Sequence, residues 1–204
     1  MRRRSLIALL CVLAAAPLAP AWAQDSAETA ATKRAVFQDP AAPVMGNPAG
    51  RVTLVEFSDY NCGFCRKAMP EVAAFLKANP DVKLVVHETP IFGEGSRYAA
   101  QAALAAARQG RYTEFHRALM GLRGKAEKAS VLRVARDLGL DMPRLERDMQ
   151  APEIVAQVDA SLDLADRIGL MGTPSFIAGD RAVFGYLPRE DLAELVDEAR
   201  KTGP

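Results

Sequence analysis

The sequence predicts an α/β fold built on a central mixed sheet with a helical insertion. An apolar, β-branched run at residues 52–57 is followed by a helix-forming segment and by a second such run at 82–87, which is the order of a βαβ unit. After a long helical block come two short strand-like runs, at 175–178 and 182–184, and a last helix that opens at Pro188. The βαβ unit requires a parallel pair, whereas the closing hairpin adds antiparallel strands, so the predicted sheet is mixed.

The N-terminus has the three parts of a secretory signal peptide, over residues 1–23. Arginines occupy positions 2–4, an apolar run covers 6–19, and Ala-Trp-Ala at 21–23 forms a small-x-small cleavage site. We therefore expect a mature chain that begins at Gln24 and resides in the periplasm of a bacterium. The apolar run is short for a membrane-spanning helix, and an uncleaved N-terminal anchor is the alternative.

Length and charge limit the classes of function. The 204 residues include 26 basic and 25 acidic ones, and loss of the signal peptide leaves a formal charge of about −2. No block of like charge is present, which argues against nucleic acid as a partner. The polar segment 24–35 has no hydrophobic period and is expected to be a flexible tail, followed by one domain over 36–204.

Glycine and proline mark the boundaries of the remaining elements. Residues 39–50 are rich in both and predict a loop, whereas Cys62 opens a helix that ends near residue 78 at Asn79-Pro80. The helical insertion is expected over about 95–170. Its helices, whose apolar residues recur at three- and four-residue spacings, are predicted at 96–109, 112–120, 130–138, 143–149 and 152–168.

Two cysteines remain in the mature chain, Cys62 and Cys65, because Cys11 lies in the signal peptide. A lipoprotein site at Cys11 is disfavoured by the bulky Leu10 before it. A spacing of three residues on a helix places both sulfurs on one face and within disulfide reach. Unpaired N–H groups and the helix dipole favour a thiolate at the first cysteine. We expect Cys62 to be the exposed nucleophile and Cys65, which is more buried, to resolve the mixed disulfide.

A stabilising disulfide and a zinc site are the alternative roles for Cys62 and Cys65. A purely stabilising disulfide fits poorly, because chain-entropy stabilisation grows with loop length and this loop is very short. A zinc site needs four ligands, for which the mature chain offers the two cysteines with His87 and His116. Neither histidine lies at a recognisable ligand spacing. A redox pair is therefore the favoured interpretation, and no metal or organic cofactor is expected.

Residues 55–65, Val-Glu-Phe-Ser-Asp-Tyr-Asn-Cys-Gly-Phe-Cys, resemble the active-site segment of the DsbA-like family of exported thiol–disulfide oxidoreductases, which have a thioredoxin-like fold. Residues 171–177, Met-Gly-Thr-Pro-Ser-Phe-Ile, resemble that family's cis-proline segment. The resemblance implies that Pro174 is cis and faces the disulfide, so that the backbone of Thr173 can pair with an extended substrate peptide. A trans proline that begins an edge strand is the alternative.

Two further side chains are candidates for the site. Glu56 lies in a predicted buried strand, so its pKa should be raised unless it is paired. The resemblance implies that Glu56 accepts or relays the proton of Cys65; the alternative is a carboxylate that reaches solvent or pairs with a lysine. Phe64 is expected to stand exposed beside Cys62 and to offer apolar contact to unfolded substrates.

The residues between the cysteines bear on the direction of exchange. Strong oxidants of the family carry Pro-His there, whereas Gly63-Phe64 supplies no cation, so a weaker oxidant is expected. A glycine and an aromatic residue between the cysteines, together with Thr173 before the proline, look more like the pattern of exported disulfide isomerases and related reductases. Those isomerases use an added dimerisation domain or a long N-terminal stalk, and the segment after Gln24 lacks a heptad seam.

We therefore expect a monomer that donates disulfides to unfolded or partly folded exported proteins. The resemblance implies an inner-membrane redox partner. An isomerase or reductase on the same scaffold is the second interpretation. A non-catalytic chaperone that uses the apolar surface near Phe64 is the third.

Overall fold

The structure is a computed structural model that describes residues 21–202, so all but the last three residues of the signal peptide predicted at 1–23 lie outside it. In chain order the elements are α1 (Ala21–Gln38), β1 (Val44–Gly46), β2 (Val52–Ser58), α2 (Gly63–Ala78), β3 (Val82–Glu88), α3 (Glu94–Ala107), α4 (Tyr112–Met120), α5 (Lys128–Asp137), α6 (Met142–Met149), α7 (Pro152–Arg167), β4 (Ser175–Ala178), β5 (Arg181–Phe184) and α8 (Arg189–Thr202). No helix in this described range combines the length and apolar character needed to cross a bilayer.

The five strands form one mixed sheet in the order β1-β3-β2-β4-β5. β2 and β3 are parallel, from the pair Val52–Val82 to the pair Ser58–Glu88, and the crossover between them contains α2. The other three pairings, β1 with β3, β2 with β4 and β4 with β5, are antiparallel. The predicted α/β class with a mixed sheet is confirmed. The five helices α3–α7 occupy the interval between β3 and β4.

Alternate residues of the central strands face two different hydrophobic layers. Leu54 and Leu84 belong to the larger core cluster, which includes buried residues of α2 and α8 and continues into α3–α6. Val55 and Phe57 belong to a second cluster, with residues of α1 and α7. The side chain of Glu56 therefore lies on the face of the sheet that α2 covers.

The first helix corrects the expectation of a flexible tail at 24–35. That segment belongs to α1, and its end packs on the sheet through Val36, which is 4% exposed and contacts the cluster of Val55 and Phe57. Alanine, which is frequent there, is the best helix former. The sequence pattern missed this helix because the side chains that pack on the sheet lie near its end and produce no amphipathic period. The domain boundary expected at residue 36 consequently falls inside a helix.

A second correction concerns the loop predicted at 39–50. It contains the short strand β1, which pairs antiparallel with β3 through Val44–Val85, Met45–Leu84 and Gly46–Lys83. A three-residue edge strand between prolines and glycines is too short to show an alternating pattern. The remaining strands and helices agree with the predicted ones to within about two residues at their ends.

Candidate active site

The two cysteines lie where β2 gives way to α2, at the carboxyl edge of the parallel pair. Cys62 is the N-cap of α2, with extended backbone (φ −77°, ψ 117°), and its sulfur accepts a hydrogen bond from the backbone N–H of Cys65 at 3.4 Å. Both residues are free thiols. The helix start thus supplies the donors that the sequence predicted at the first cysteine.

The surroundings of the two thiols separate their acidities. The pKa of Cys62 is lowered to about 6, chiefly because the Cys65 thiol donates a hydrogen bond to its sulfur, with help from Thr173 and the backbone N–H groups of the first turn. The pKa of Cys65 is raised, above all by burial and then by that same hydrogen bond and the charge of Glu56. Cys62 is therefore the better nucleophile at neutral pH, and Cys65 retains its proton.

The expectation that Cys62 is exposed is wrong for this structure, because the residue is 2% exposed. The segment before β4 covers it: the Cys62 thiol donates a hydrogen bond to the carbonyl oxygen of Thr173 at 3.1 Å. Cys65 is 1% exposed, so the two cysteines barely differ in whole-residue exposure. Their difference in pKa comes from the surroundings of each sulfur, because hydrogen bonds lower the pKa of Cys62 whereas burial of the thiol is the main cause that raises the pKa of Cys65.

The peptide bond between Thr173 and Pro174 is cis, as the resemblance implied, and the trans alternative is excluded. Pro174 is buried, and its carbonyl oxygen accepts a hydrogen bond from Gly185 N at 2.8 Å, which ties the segment to the residue that directly follows β5. The Thr173 hydroxyl oxygen is buried without a hydrogen-bond partner among the described residues. Thr173 thus presents a carbonyl, which accepts from the Cys62 thiol, and a buried hydroxyl that favours the Cys62 thiolate.

Glu56 occupies the middle of β2, beside Val86 of β3 and Phe176 of β4. It is 3% exposed, and among the described residues no lysine or arginine forms an ion pair with it. Its pKa is raised to about 7, chiefly by burial and to a lesser extent by the charge of Cys62, while Ser58 acts in the opposite direction. The alternative of a solvated or lysine-paired carboxylate is therefore wrong, and Glu56 can gain or lose a proton near neutral pH.

Exposed apolar side chains flank the cysteines. Phe64, between them in the chain, is 62% exposed, and Met171, two residues before Thr173, is 83% exposed. Ile91 and Phe92, in the loop after β3, are also exposed. The sequence reasoning found Phe64 and missed the other three, because the motif that marks the cysteines does not extend to neighbouring loops.

The turn that leads into α2 is fixed by Asp59. Its Oδ1 accepts hydrogen bonds from Asn61 N at 2.6 Å and from the Ser96 hydroxyl at 2.7 Å. Its Oδ2 accepts one from Phe92 N at 3.0 Å, which anchors the exposed loop beside the site. Asp59 is thus a turn residue that also joins the active-site turn to the helical insertion through Ser96.

Asn61 and Arg66 connect the same turn to the loop between α4 and α5. Asn61 accepts from Ala126 N at 2.7 Å and donates to the Ala126 carbonyl at 3.2 Å. Arg66 donates to the carbonyl oxygens of Leu122 at 3.1 Å and Gly124 at 2.7 Å. Neither residue was predicted to have a role, since their partners lie far away in the chain.

Comparison with known proteins agrees with this geometry. The DSBA-like thioredoxin domain family matches residues 53–197, which is most of the chain. A thioredoxin-like oxidoreductase from Silicibacter pomeroyi DSS-3 is 53% identical with a TM-score of 0.81, covering 83% of this chain and 98% of that one. A periplasmic thioredoxin-like protein from Salmonella enterica serovar Typhimurium is 29% identical with a TM-score of 0.74, covering 83% and 95%.

One curated relative is a larger protein, and it matches this chain over only a part of its length. The Na(+)/H(+) antiporter NhaA 3 of Salinispora tropica is 31% identical over 158 residues, which are 76% of this chain and 24% of the antiporter. The chain therefore spans about a quarter of the length of that relative. The family match covers both cysteines and the cis-proline segment, and it confirms the thioredoxin-like fold. The chain belongs to the DSBA-like thioredoxin domain family.

Proposed function

We propose that this protein is a periplasmic thiol–disulfide oxidoreductase that donates disulfides to unfolded or partly folded exported proteins. The observation that carries the proposal is the state of the Cys62 sulfur. It caps α2, its pKa is lowered to about 6, and it lies 3.1 Å from the carbonyl oxygen of Thr173. A nucleophilic thiol with a resolving thiol one turn away and a backbone carbonyl beside it suits disulfide exchange.

The reaction begins with the Cys62–Cys65 disulfide. A substrate thiolate attacks the Cys62 sulfur, a mixed disulfide forms, and Cys65 leaves as a thiolate. Because the pKa of Cys65 is raised, this thiolate takes up a proton, for which Glu56 is the buried donor on the same face of the sheet. A second thiolate of the substrate then attacks the substrate sulfur that is bonded to Cys62. The substrate disulfide forms, and Cys62 is released as a thiolate. The substrate loses two electrons and two protons, and the protein becomes a dithiol.

Thr173 and the exposed apolar residues are proposed to bind the substrate. The Thr173 carbonyl, which accepts from the thiol when Cys62 is reduced, becomes free for a backbone N–H of an extended peptide when the disulfide forms. Phe64 and Met171 offer apolar contact to unfolded segments without requiring a particular sequence.

The direction of exchange depends on how strongly the Cys62 thiolate is stabilised. Its pKa of about 6 lies between the values of about 3.5 for DsbA and about 7 for thioredoxin. We therefore expect a weaker oxidant than DsbA, because Gly63-Phe64 supplies no cation. The second candidate is an isomerase or reductase on the same scaffold, which the Gly-Phe dipeptide and Thr173 favour.

Location and partners complete the proposal. The signal-peptide pattern supports export with cleavage before Gln24, and the Salmonella protein described as periplasmic supports the location. We expect a monomer that requires no metal or organic cofactor. Turnover requires an inner-membrane redox partner that restores the Cys62–Cys65 disulfide.

Cysteine variants test the function. The oxidised protein should oxidise a reduced, unfolded client, and Cys62→Ser should abolish this activity. Given a client that already contains a disulfide, Cys65→Ser should attack that bond through Cys62 and accumulate the mixed disulfide, because no second thiol resolves it. Non-reducing electrophoresis detects this species. The chaperone interpretation makes a different prediction. A non-catalytic chaperone does not need the thiol, so the Cys62→Ser variant should suppress aggregation as well as the wild type does. Wild-type protein that transfers no disulfide while both variants still suppress aggregation would refute the oxidoreductase proposal.

A further inference from the structure

A buried polar cluster lies behind the active-site turn, and the proposed exchange reaction uses none of it. Its four members are buried side chains from the turn, the end of β3 and α4: Tyr60, Glu88, Tyr112 and His116. The Tyr60 hydroxyl donates to Glu88 Oε1 at 2.6 Å, and the Tyr112 hydroxyl donates to the same oxygen at 2.7 Å. His116 Nδ1 lies 2.9 Å from the Tyr60 hydroxyl and 3.3 Å from that of Tyr112.

Burial is the main cause of the protonation states in the cluster. The pKa of Glu88 is raised to about 8, chiefly by burial and also by the nearby Asp59 and Glu56, against the lowering effect of the two tyrosine hydroxyls. Burial lowers the pKa of His116 to about 3, so the imidazole is neutral. Among the described residues no lysine or arginine pairs with Glu88, and the phenol hydroxyls are its partners. When both hydroxyls donate to Glu88, His116 carries its proton on Nδ1 and donates to Tyr60.

One member of the cluster belongs to the segment that presents the nucleophile. Tyr60 lies inside the turn in which Cys62 N donates to the Asp59 carbonyl oxygen at 3.2 Å. Its own carbonyl oxygen accepts from Arg66 Nε at 2.7 Å, so Tyr60 is held through its side chain by Glu88 and through its backbone by α2. Tyr112 bonds to the same Glu88 oxygen but lies on α4, outside the turn.

We propose that Glu88 is a positioning residue for Cys62: it holds the Tyr60 hydroxyl and thereby fixes the turn that aims the Cys62 sulfur at the first backbone N–H groups of α2. The bond from Cys65 N to that sulfur is 3.4 Å long. A hydrogen bond to sulfur weakens as the distance grows, so a small shift of the turn changes how well the thiolate is stabilised. This role deepens the proposed function and rests on it for its consequence in exchange, although its effect on the thiol is measurable without any client.

The two tyrosines provide a matched pair of variants. Tyr60→Phe and Tyr112→Phe each remove one hydroxyl bonded to Glu88 Oε1, and only the first touches the active-site turn. The rate of Cys62 alkylation by iodoacetamide as a function of pH gives the thiol pKa, and glutathione equilibration gives the reduction potential. Tyr60→Phe should raise the thiol pKa and make the potential more negative. Tyr112→Phe should leave both at the wild-type values.

Variants of the carboxyl group extend the test. Glu88→Gln keeps an oxygen acceptor of the same shape and should retain the wild-type thiol pKa, whereas Glu88→Leu removes the acceptor and should reproduce the shift of Tyr60→Phe. Circular dichroism checks folding, and if Glu88→Leu does not fold, the tyrosine pair decides. A wild-type thiol pKa and potential in Tyr60→Phe, or equal shifts in both tyrosine variants, would overturn the positioning role. If the wild-type protein transfers no disulfide to clients, the proposed function is refuted. The thiol pKa and the reduction potential would still test the positioning role of Glu88, because neither measurement uses a client.

Discussion

At the scale of single residues, the site depends on ionisable groups that share a small buried volume. Cys62 and Cys65 differ in pKa because one sulfur accepts hydrogen bonds while the other is buried beside Glu56. Thiol acidity and carboxyl acidity are therefore coupled, and a change at Glu56 should alter both resolution by Cys65 and stability.

The pH dependence of stability tests the state of Glu56. Its pKa is raised from 4.5 to about 7, so its ionisation opposes folding: the cost is absent below about pH 4.5, grows up to about pH 7 and stays constant above. Glu56→Gln should raise the free energy of unfolding by about 3 kcal/mol at about pH 8. Near pH 4 it should change little. Chemical denaturation at the two pH values measures this, and an equal difference at both would contradict a buried, neutral-to-anionic Glu56.

At the scale of elements, α2 is tied to the helical insertion through one guanidinium group. Arg66 donates to three carbonyl oxygens, those of Tyr60, Leu122 and Gly124. Arg66→Met keeps the apolar stem but removes every donor, and it should lower the free energy of unfolding by about 1–3 kcal/mol. The exposed Arg133 of α5 provides the control, since Arg133→Met should change stability by less than about 0.5 kcal/mol. Equal effects in urea denaturation would show that the carbonyl contacts of Arg66 contribute nothing.

The helix α1 makes its own prediction. Val36 is 4% exposed and packs on the sheet, and the Val36 carbonyl oxygen lies 2.9 Å from His87 Nε2. Val36→Ala should lower the free energy of unfolding by about 2 kcal/mol, because it removes two buried methyl groups. Glu28→Ala, at an exposed position of the same helix, serves as the control. If both variants denature like the wild type, the packing of α1 on the sheet is unimportant for stability.

The elements also show what local sequence can predict. The strands β2 and β3 and the helices α4 and α7 were predicted nearly to the residue, because apolar runs end at glycine, proline or asparagine. β1 was missed because three residues are too few for a pattern. α1 was missed because its few buried residues lie near its end, and α-helix propensity alone is a weak guide.

At the scale of the whole molecule, the sequence located the cysteines and the cis-proline segment, since each carries a motif. It could not predict what surrounds them. The Cys62 thiol is covered by the Thr173 carbonyl from a segment 111 residues away, which is why the expectation of an exposed cysteine was wrong. The cluster of Glu88 likewise joins β3 to α4, and no local pattern relates those residues.

The whole molecule also decides the direction of exchange, because the reduction potential sums every interaction that favours the dithiol over the disulfide. A lowered Cys62 pKa favours the reduced form and makes the pair more oxidising, whereas the absence of a cation at Gly63-Phe64 limits that effect. The potential is thus the property on which the oxidase and the isomerase or reductase interpretations differ.

The most direct test is the reduction potential of the Cys62–Cys65 pair in the mature protein, measured by glutathione titration with thiol trapping. We expect a value between about −180 and −120 mV, which is more oxidising than protein disulfide isomerase and less oxidising than DsbA. A value at or below about −180 mV would contradict a disulfide donor and would support an isomerase or reductase that depends on a membrane reductant.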